Sequence, residues 1–202
     1  MHPLKKYGGS KVLDLEKSTE NKIKNGNSNR TSFISELFSW IKAIVTAGII
    51  ALIVNNFVIV NAMVPTGSME STIMTNDRII AFRLSYLFNS PSRFDIVVFR
   101  NPDDESVLYI KRIIGMPGET LMIANGRVYI DGERLYEDDE FIKDNFFGTF
   151  GPFVIGEDEY FVLGDNRNNS EDSRAWDNPF VGRNAILGRA IFKYFRGFEI
   201  LR

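Results

Sequence analysis

The chain has 202 residues, 44% hydrophobic and 25% charged, with a formal net charge of −2. Such a length allows one domain, or one domain with appendages, and the composition excludes both wholesale disorder and a collagen-like repeat. Cysteine is absent and histidine occurs once, as His2. Disulfides, thiol nucleophiles, thiolate or imidazole metal sites and any Ser-His-Asp triad are thereby excluded together, and no metal or cofactor is expected. A hydrolase built on this sequence must draw its base from Lys, Asp or Glu. Nothing in a net charge so near zero points to a nucleic-acid partner, and none is expected.

Charge is uneven along the chain. Residues 1–42 carry eight basic against four acidic residues, a balance of +4, and the remainder carries 16 against 22, a balance of −6. Residues 1–39 are rich in Lys, Asn, Ser and Gly, with too few apolar positions to bury a face, and read as a disordered basic leader. Between the two charge regions, Ala43 to Met69 is a run of 27 uncharged residues. At about 1.5 Å per residue, the stretch from Ala43 to Met63 crosses the roughly 30 Å of a bilayer core. Residues 40–62 are therefore expected to form a transmembrane anchor, with Trp40 and Lys42 at the interface and, by the positive-inside rule, the leader in the cytoplasm. A buried helix of a soluble protein is the first alternative, favoured by Asn55, Asn56 and Asn61. A signal peptide cut after Val60-Asn61-Ala62 is the second, opposed by the long leader and the length of the run.

From residue 63 to 202 the texture changes to short β-branched and aromatic runs bounded by turn residues: R-I-I-A-F-R, D-I-V-V-F-R, V-L-Y-I-K-R-I-I-G, E-T-L-M-I-A, R-V-Y-I, E-Y-F-V-L and A-I-F-K-Y-F. This spacing predicts a mainly β domain large enough for one core. Asn125-Gly126 predicts a two-residue hairpin turn and Asp131-Gly132 a second turn.

Beyond the apolar run stand three lysines, Lys111, Lys143 and Lys193, against thirteen arginines. Only lysine can shed its proton near neutral pH, so these three are the candidate lysine bases. Lys143 lies in the acidic run E-D-D-E-F-I-K-D and is expected to stay charged; Lys193 lies near the C-terminus. Lys111 shares a strand face with Val107, Tyr109 and Ile113 by period-2 alternation, where desolvation favours the neutral amine. The competing reading is an edge lysine that extends to water.

Three further motifs stand in order behind the apolar run: V-P-T-G-S-M-E-S-T-I (Val64 to Ile73), the Lys111 strand followed by G-M-P-G-E (Gly115 to Glu119), and G-D-N-R-N-N-S-E-D-S-R-A-W (Gly164 to Trp176). Together they resemble the type I signal peptidases, membrane-anchored serine peptidases with a Ser/Lys dyad, from the anchor to about Phe195. The resemblance implies a coiled antiparallel β-sheet catalytic domain behind one N-terminal transmembrane helix. It assigns Ser68 as nucleophile and Lys111 as general base. Thr66 and the Ser68 backbone N–H form the oxyanion hole, Ser170 orients the lysine amine, and Asp172, Arg174 and Asp165 support the loop. Met69, Ile73, Tyr109 and Ile110 match positions that line the substrate pocket. The implied substrates are exported preproteins, cut after small-x-small motifs on the outer face of the cell membrane, with the lipid bilayer as the other partner; an oligomeric state is not implied.

The segment around 124–155, acidic from Glu133 to Pro152, resembles a reduced, variable second subdomain of the Gram-positive kind. Two positions depart from the family pattern, Ser71 where proline is general and Phe94 where glycine is frequent; neither removes a reacting group, and the sequence alone does not decide their effect, a looser turn behind the nucleophile at Ser71 being one outcome. Each motif also has a plainer reading, Thr66 as a turn former and the Gly164–Trp176 loop as a solvated connection. Ser39-Trp40-Ile41-Lys42 matches S-x-x-K but lacks an accompanying K-T-G, and Asn168-Asn169-Ser170 matches a glycosylation sequon; both are read as coincidence. Two other functions remain open on sequence alone: a membrane-anchored, non-catalytic β domain that binds a partner, and a different Ser/Lys peptidase that processes itself.

Overall fold

A computed structural model describes residues 35–142, 146–195 and 197–201. The expected disordered leader lies outside the described residues up to residue 34, as does Lys143. The chain divides into two units, Met1–Leu52 and Ile53–Arg202, each described by itself.

The first unit holds most of helix α1 (35–53), which passes into a π-helical turn at Val54–Val58. Ser35–Val58 makes 24 helical residues, long and apolar enough to cross a membrane. Among the described residues of the first unit nothing covers its apolar side chains, which include Leu37, Trp40, Ile44 and Ile49. The boundaries correct the expected anchor at 40–62. Among the described residues the helix is already present at Ser35, five residues before the expected start, and it ends at Val58, and Ile59–Met63 forms strand β1 instead. β-branched residues at 58, 59 and 60 favour extended backbone, and all five residues of β1 pair with β2 (Arg78–Phe82).

The second unit contains two antiparallel sheets. The larger runs in the order β1, β2, β11 (Ile186–Lys193), β3 (Ile96–Arg100), β4 (Leu108–Gly115), β9 (Glu159–Leu163), β10 (Val181–Gly182), with β12 (Glu199–Ile200) added to β11. Register shifts interrupt β11 between Ala190 and Phe192 and again between Ile186 and Gly188, and β4 between Ile113 and Gly115. Bulges of this kind raise local twist and curl a sheet. The smaller sheet has the order β7 (Glu133–Arg134), β6 (Arg127–Ile130), β5 (Thr120–Ala124), β8 (Phe150–Val154). Its central hairpin turns at Asn125-Gly126, both with positive φ (49° and 72°), as the sequence predicts. This sheet begins at Thr120, four residues before the expected subdomain edge.

One core does not suffice for this arrangement. Ile96 and Val98 point to a cluster with Val60, Met69, Ile73 and Ile110, whereas Val97 and Phe99 point to another with Ile113, Val162 and Trp176. A third cluster joins Ile114, Phe161 and Leu163 of the large sheet to Leu121, Ile123 and Val128 of the small one. Strands β3 and β4 are thus buried on both faces, which explains the unbroken apolar run Ile96–Phe99 of β3, while β4 carries the buried cations Lys111 and Arg112 between its apolar residues.

Candidate active site

Ser68 sits in the loop between β1 and β2, and Lys111 in the middle of β4 opposite Val97. The Lys111 Nζ and the Ser68 Oγ are 2.7 Å apart, with Lys111 3% and Ser68 6% exposed. Burial pushes the Lys111 amine down from its ordinary 10.5 to about 8, although the carboxylates of Asp172, Glu171 and Asp165 act in the opposite direction. The Thr66 hydroxyl lies 3.4 Å from the Ser68 Oγ, and the Ser68 backbone N–H donates to no acceptor among the described residues. Lys193 is engaged elsewhere: it donates to the Thr72 carbonyl (2.9 Å) and pairs with Glu199 (2.8 Å).

The loop after β9 grips the nucleophile from behind. The Asn166 backbone N–H donates to the Ser68 carbonyl (3.1 Å) and its side-chain amide to the Gly67 carbonyl (3.0 Å). A Cβ on Gly164 would fall 2.4 Å from the Ser68 carbonyl oxygen and 2.2 Å from the Ser170 Oγ, so only glycine permits this approach. Asp172 accepts from the Gly164 N–H (3.1 Å) and forms a bidentate pair with Arg174 (both 2.8 Å). Asp165 accepts two bonds from Arg112 (2.9 and 2.7 Å) and one from the Thr72 hydroxyl (2.5 Å). Trp176 packs against Tyr109, centroids 5.7 Å apart, and fixes the end of the loop on β4.

Two expectations need correction. Ser170 makes no hydrogen bond to the lysine amine: its Oγ is buried without a partner, packed against Gly164. Met69 and Ile73 do not line the groove beside the dyad. Both are fully buried in the first core, because the chain turns inward after Ser68 and the Ile73 N–H bonds back to the Met69 carbonyl (2.8 Å). The turn behind Ser68 is held firmly at Ser71. It is tied by the 3.0 Å bond from the Thr72 N–H to the Met69 carbonyl and by the Thr72–Asp165 contact, and Ser71 adopts φ 94°, a value closed to proline. Phe94, where glycine is frequent in the family, also has positive φ (71°).

Residues 61–68 form one wall of the groove and residues 107–111 the other, with Val98 behind and Asn169 and Glu171 at the rim; its volume is about 520 Å³. Tyr109 and Ile110 are among its lining residues.

Sequence reasoning passed over four residues that build the site. Arg112 is fully buried, and its guanidinium lies 3.8 Å from the Phe141 ring centroid. Two adjacent cations within an apolar strand place one on each face, which was the available signal. Asp138 and Arg167 form a buried pair (Arg167 Nη1 to Asp138 Oδ2, 2.6 Å) that joins the acidic segment to the loop after β9. The fourth is Asn166.

The model of the family described as "Signal peptidase, peptidase S26" matches residues 37–195. The chain is 41% identical over 160 residues to the probable signal peptidase I-2 of Synechocystis sp., spanning 76% of this chain and 71% of that protein. It is 32% identical over 174 residues to a signal peptidase I of Bacillus licheniformis, spanning 82% and 92% respectively. A crystal structure of a signal peptidase I from Enterococcus faecalis V583 is similar at a TM-score of 0.41 and 32% identity, over 50% of this chain and 97% of that one. On the sequence matches, the chain belongs to the signal peptidase family, peptidase S26.

Proposed function

We infer that the chain is a membrane-anchored serine endopeptidase that removes N-terminal signal peptides from exported preproteins, with Ser68 and Lys111 as its dyad. The observation that carries this reading is the 2.7 Å approach of a buried, pKa-lowered amine to a buried serine hydroxyl, in a chain with no cysteine and a single histidine, His2. Neutral Lys111 takes the hydroxyl proton as the Ser68 Oγ bonds to the scissile carbonyl carbon, and the resulting ammonium gives that proton to the leaving amine. Water then attacks the ester, Lys111 takes a proton from it, and Ser68 is released. The free Ser68 N–H and the Thr66 hydroxyl face the carbonyl oxygen as it becomes negative; one such donor is worth about a hundred- to thousandfold in rate.

The groove suits an extended peptide. β1 is an edge strand, and β4 pairs with β9 only from Arg112 onward, so residues 108–111 also leave one main-chain edge free. A strand between these edges presents alternate side chains to the groove, so the two small residues of small-x-small fall on one face. Ser68 follows Val58 by ten residues, and the helix Ser35–Val58 holds the domain on the outer face of the cell membrane with the basic leader inside.

The test is processing of a preprotein by the purified full-length chain. Wild type yields the product cut after small-x-small, and Ser68→Ala and Lys111→Ala yield none. Equal processing by either variant would refute the dyad.

A further inference from the structure

Resting on the peptidase reading above, we propose that Glu171 determines substrate specificity: its carboxylate at the groove rim selects peptides with a cationic side chain within about two residues of the scissile bond and disfavours acidic ones.

Three observations carry this. First, Glu171 lines the same groove as Ser68 and Lys111 and is exposed, so its charge faces whatever occupies the groove. Second, the ionisable side chains among the groove-lining residues are Lys111, Tyr109 and Glu171. Tyr109 stays neutral because burial, first, and the Glu171 charge, second, raise its pKa. Lys111 is neutral in the form able to act as a base. In that form the groove that receives substrate holds one net negative charge, on Glu171. Third, no cation neutralises that charge: Glu171 meets Tyr109 through a side-chain hydrogen bond, which leaves the carboxylate charged. The neighbouring acids are consumed by arginines, Asp172 by Arg174 and Asp165 by Arg112, whereas Glu171 joins no ion pair among the described residues.

Distance along the strand fixes the register. Tyr109 and Lys111 lie two residues apart on one face of β4, about 7 Å along a strand, and the Lys111 Nζ is 5.2 Å from the Tyr109 ring centroid. A carboxylate close enough to act on both Tyr109 and Lys111 lies within two substrate residues of the bond attacked by Ser68.

The experiment uses the full-length enzyme in detergent micelles and peptides sharing one small-x-small site. Lys, Gln or Glu is placed in turn at the second residue before the cut and at the first and second after it, and kcat/KM is measured for each. At one of these positions wild type is expected to prefer Lys over Glu by about tenfold or more, with Gln between. Tenfold is about 1.4 kcal/mol, within reach of a charge pair at a partly dry surface. Glu171→Gln brings the ratio close to one, and Glu171→Lys inverts it. A lost structural contact would lower all three peptides together and leave the ratio unchanged. Charge-blind cutting at all three positions, or a preference that both variants retain, overturns the assignment of Glu171 alone. Failure of wild type to cut any peptide, the Gln series included, overturns the peptidase reading and this one with it.

Discussion

Replacing Lys111 by methionine is expected to abolish cleavage while making the protein more stable at neutral pH. The amine is 3% exposed, and its pKa falls from 10.5 to about 8 because burial disfavours the charged form. In the folded chain it binds its proton less tightly than in the unfolded chain. The unfolded state thus holds more protons between pH 8 and 10.5, and stability rises with pH across that window. Below pH 8 the full cost is present, about 3 kcal/mol at 1.36 kcal/mol per pH unit. Methionine fills nearly the same volume without that cost but loses the bond to Ser68, about 1 kcal/mol. The net expectation at pH 7 is a gain of about 2 kcal/mol, shrinking and changing sign toward pH 10.5. Denaturant unfolding of both full-length proteins in the same micelles, at several pH values, reads the difference directly, and groups common to both cancel. A methionine variant less stable than wild type at pH 7, or a difference constant from pH 7 to 10.5, would refute the burial argument.

The same shift requires kcat/KM of wild type to fall about tenfold per pH unit below pH 8 and to level off above it; a flat profile from pH 6 to 9 contradicts a lysine base. Gly164→Ala should keep the fold yet lower kcat by about a hundredfold, since its Cβ displaces the Ser68 carbonyl or the Ser170 side chain; unchanged kcat would show that the loop yields freely. Arg112→Met leaves the Asp165 carboxylate buried and unpaired, at a cost of about 3–5 kcal/mol in unfolding free energy, and the double variant Arg112→Met/Asp165→Leu should recover part of it. Ser71→Gly should raise stability by up to about 1 kcal/mol, because φ 94° strains a side-chain-bearing residue.

Parts of this molecule are legible in the sequence because they depend on local chemistry. Asn125-Gly126 takes positive φ wherever it stands between two short strands, and a chain with one histidine and no cysteine leaves few bases. Seven apolar runs correspond to strands for the same reason. Direction and partnership are what the sequence conceals. Nothing local tells that Met69 and Ile73 turn into the core rather than toward substrate, because the choice is made by Ile79, Val98 and Ile110 packing from distant strands. The sharing of Asp165 by Arg112 and Thr72 joins residues 53 and 93 positions apart, and Arg167 meets Asp138 across 29. The sequence does not mark the helix end at Val58, because an apolar β-branched run serves equally as membrane helix or strand, and only the pairing of β1 with β2 decides it.

The proposed dyad requires a neutral amine at position 111 to take the proton from Ser68. With no native cysteine, Lys111→Cys carries one thiol, and alkylation with 2-bromoethylamine rebuilds a lysine-like side chain whose thioether makes the amine less basic. The kcat/KM profile against pH of this modified enzyme is the most direct test. Unmodified Lys111→Cys is expected to be inactive, and the aminoethylated protein to regain cleavage with its acid limb displaced to lower pH. Cleavage by unmodified Lys111→Cys, or restored cleavage with an acid limb where wild type has it, would contradict the account.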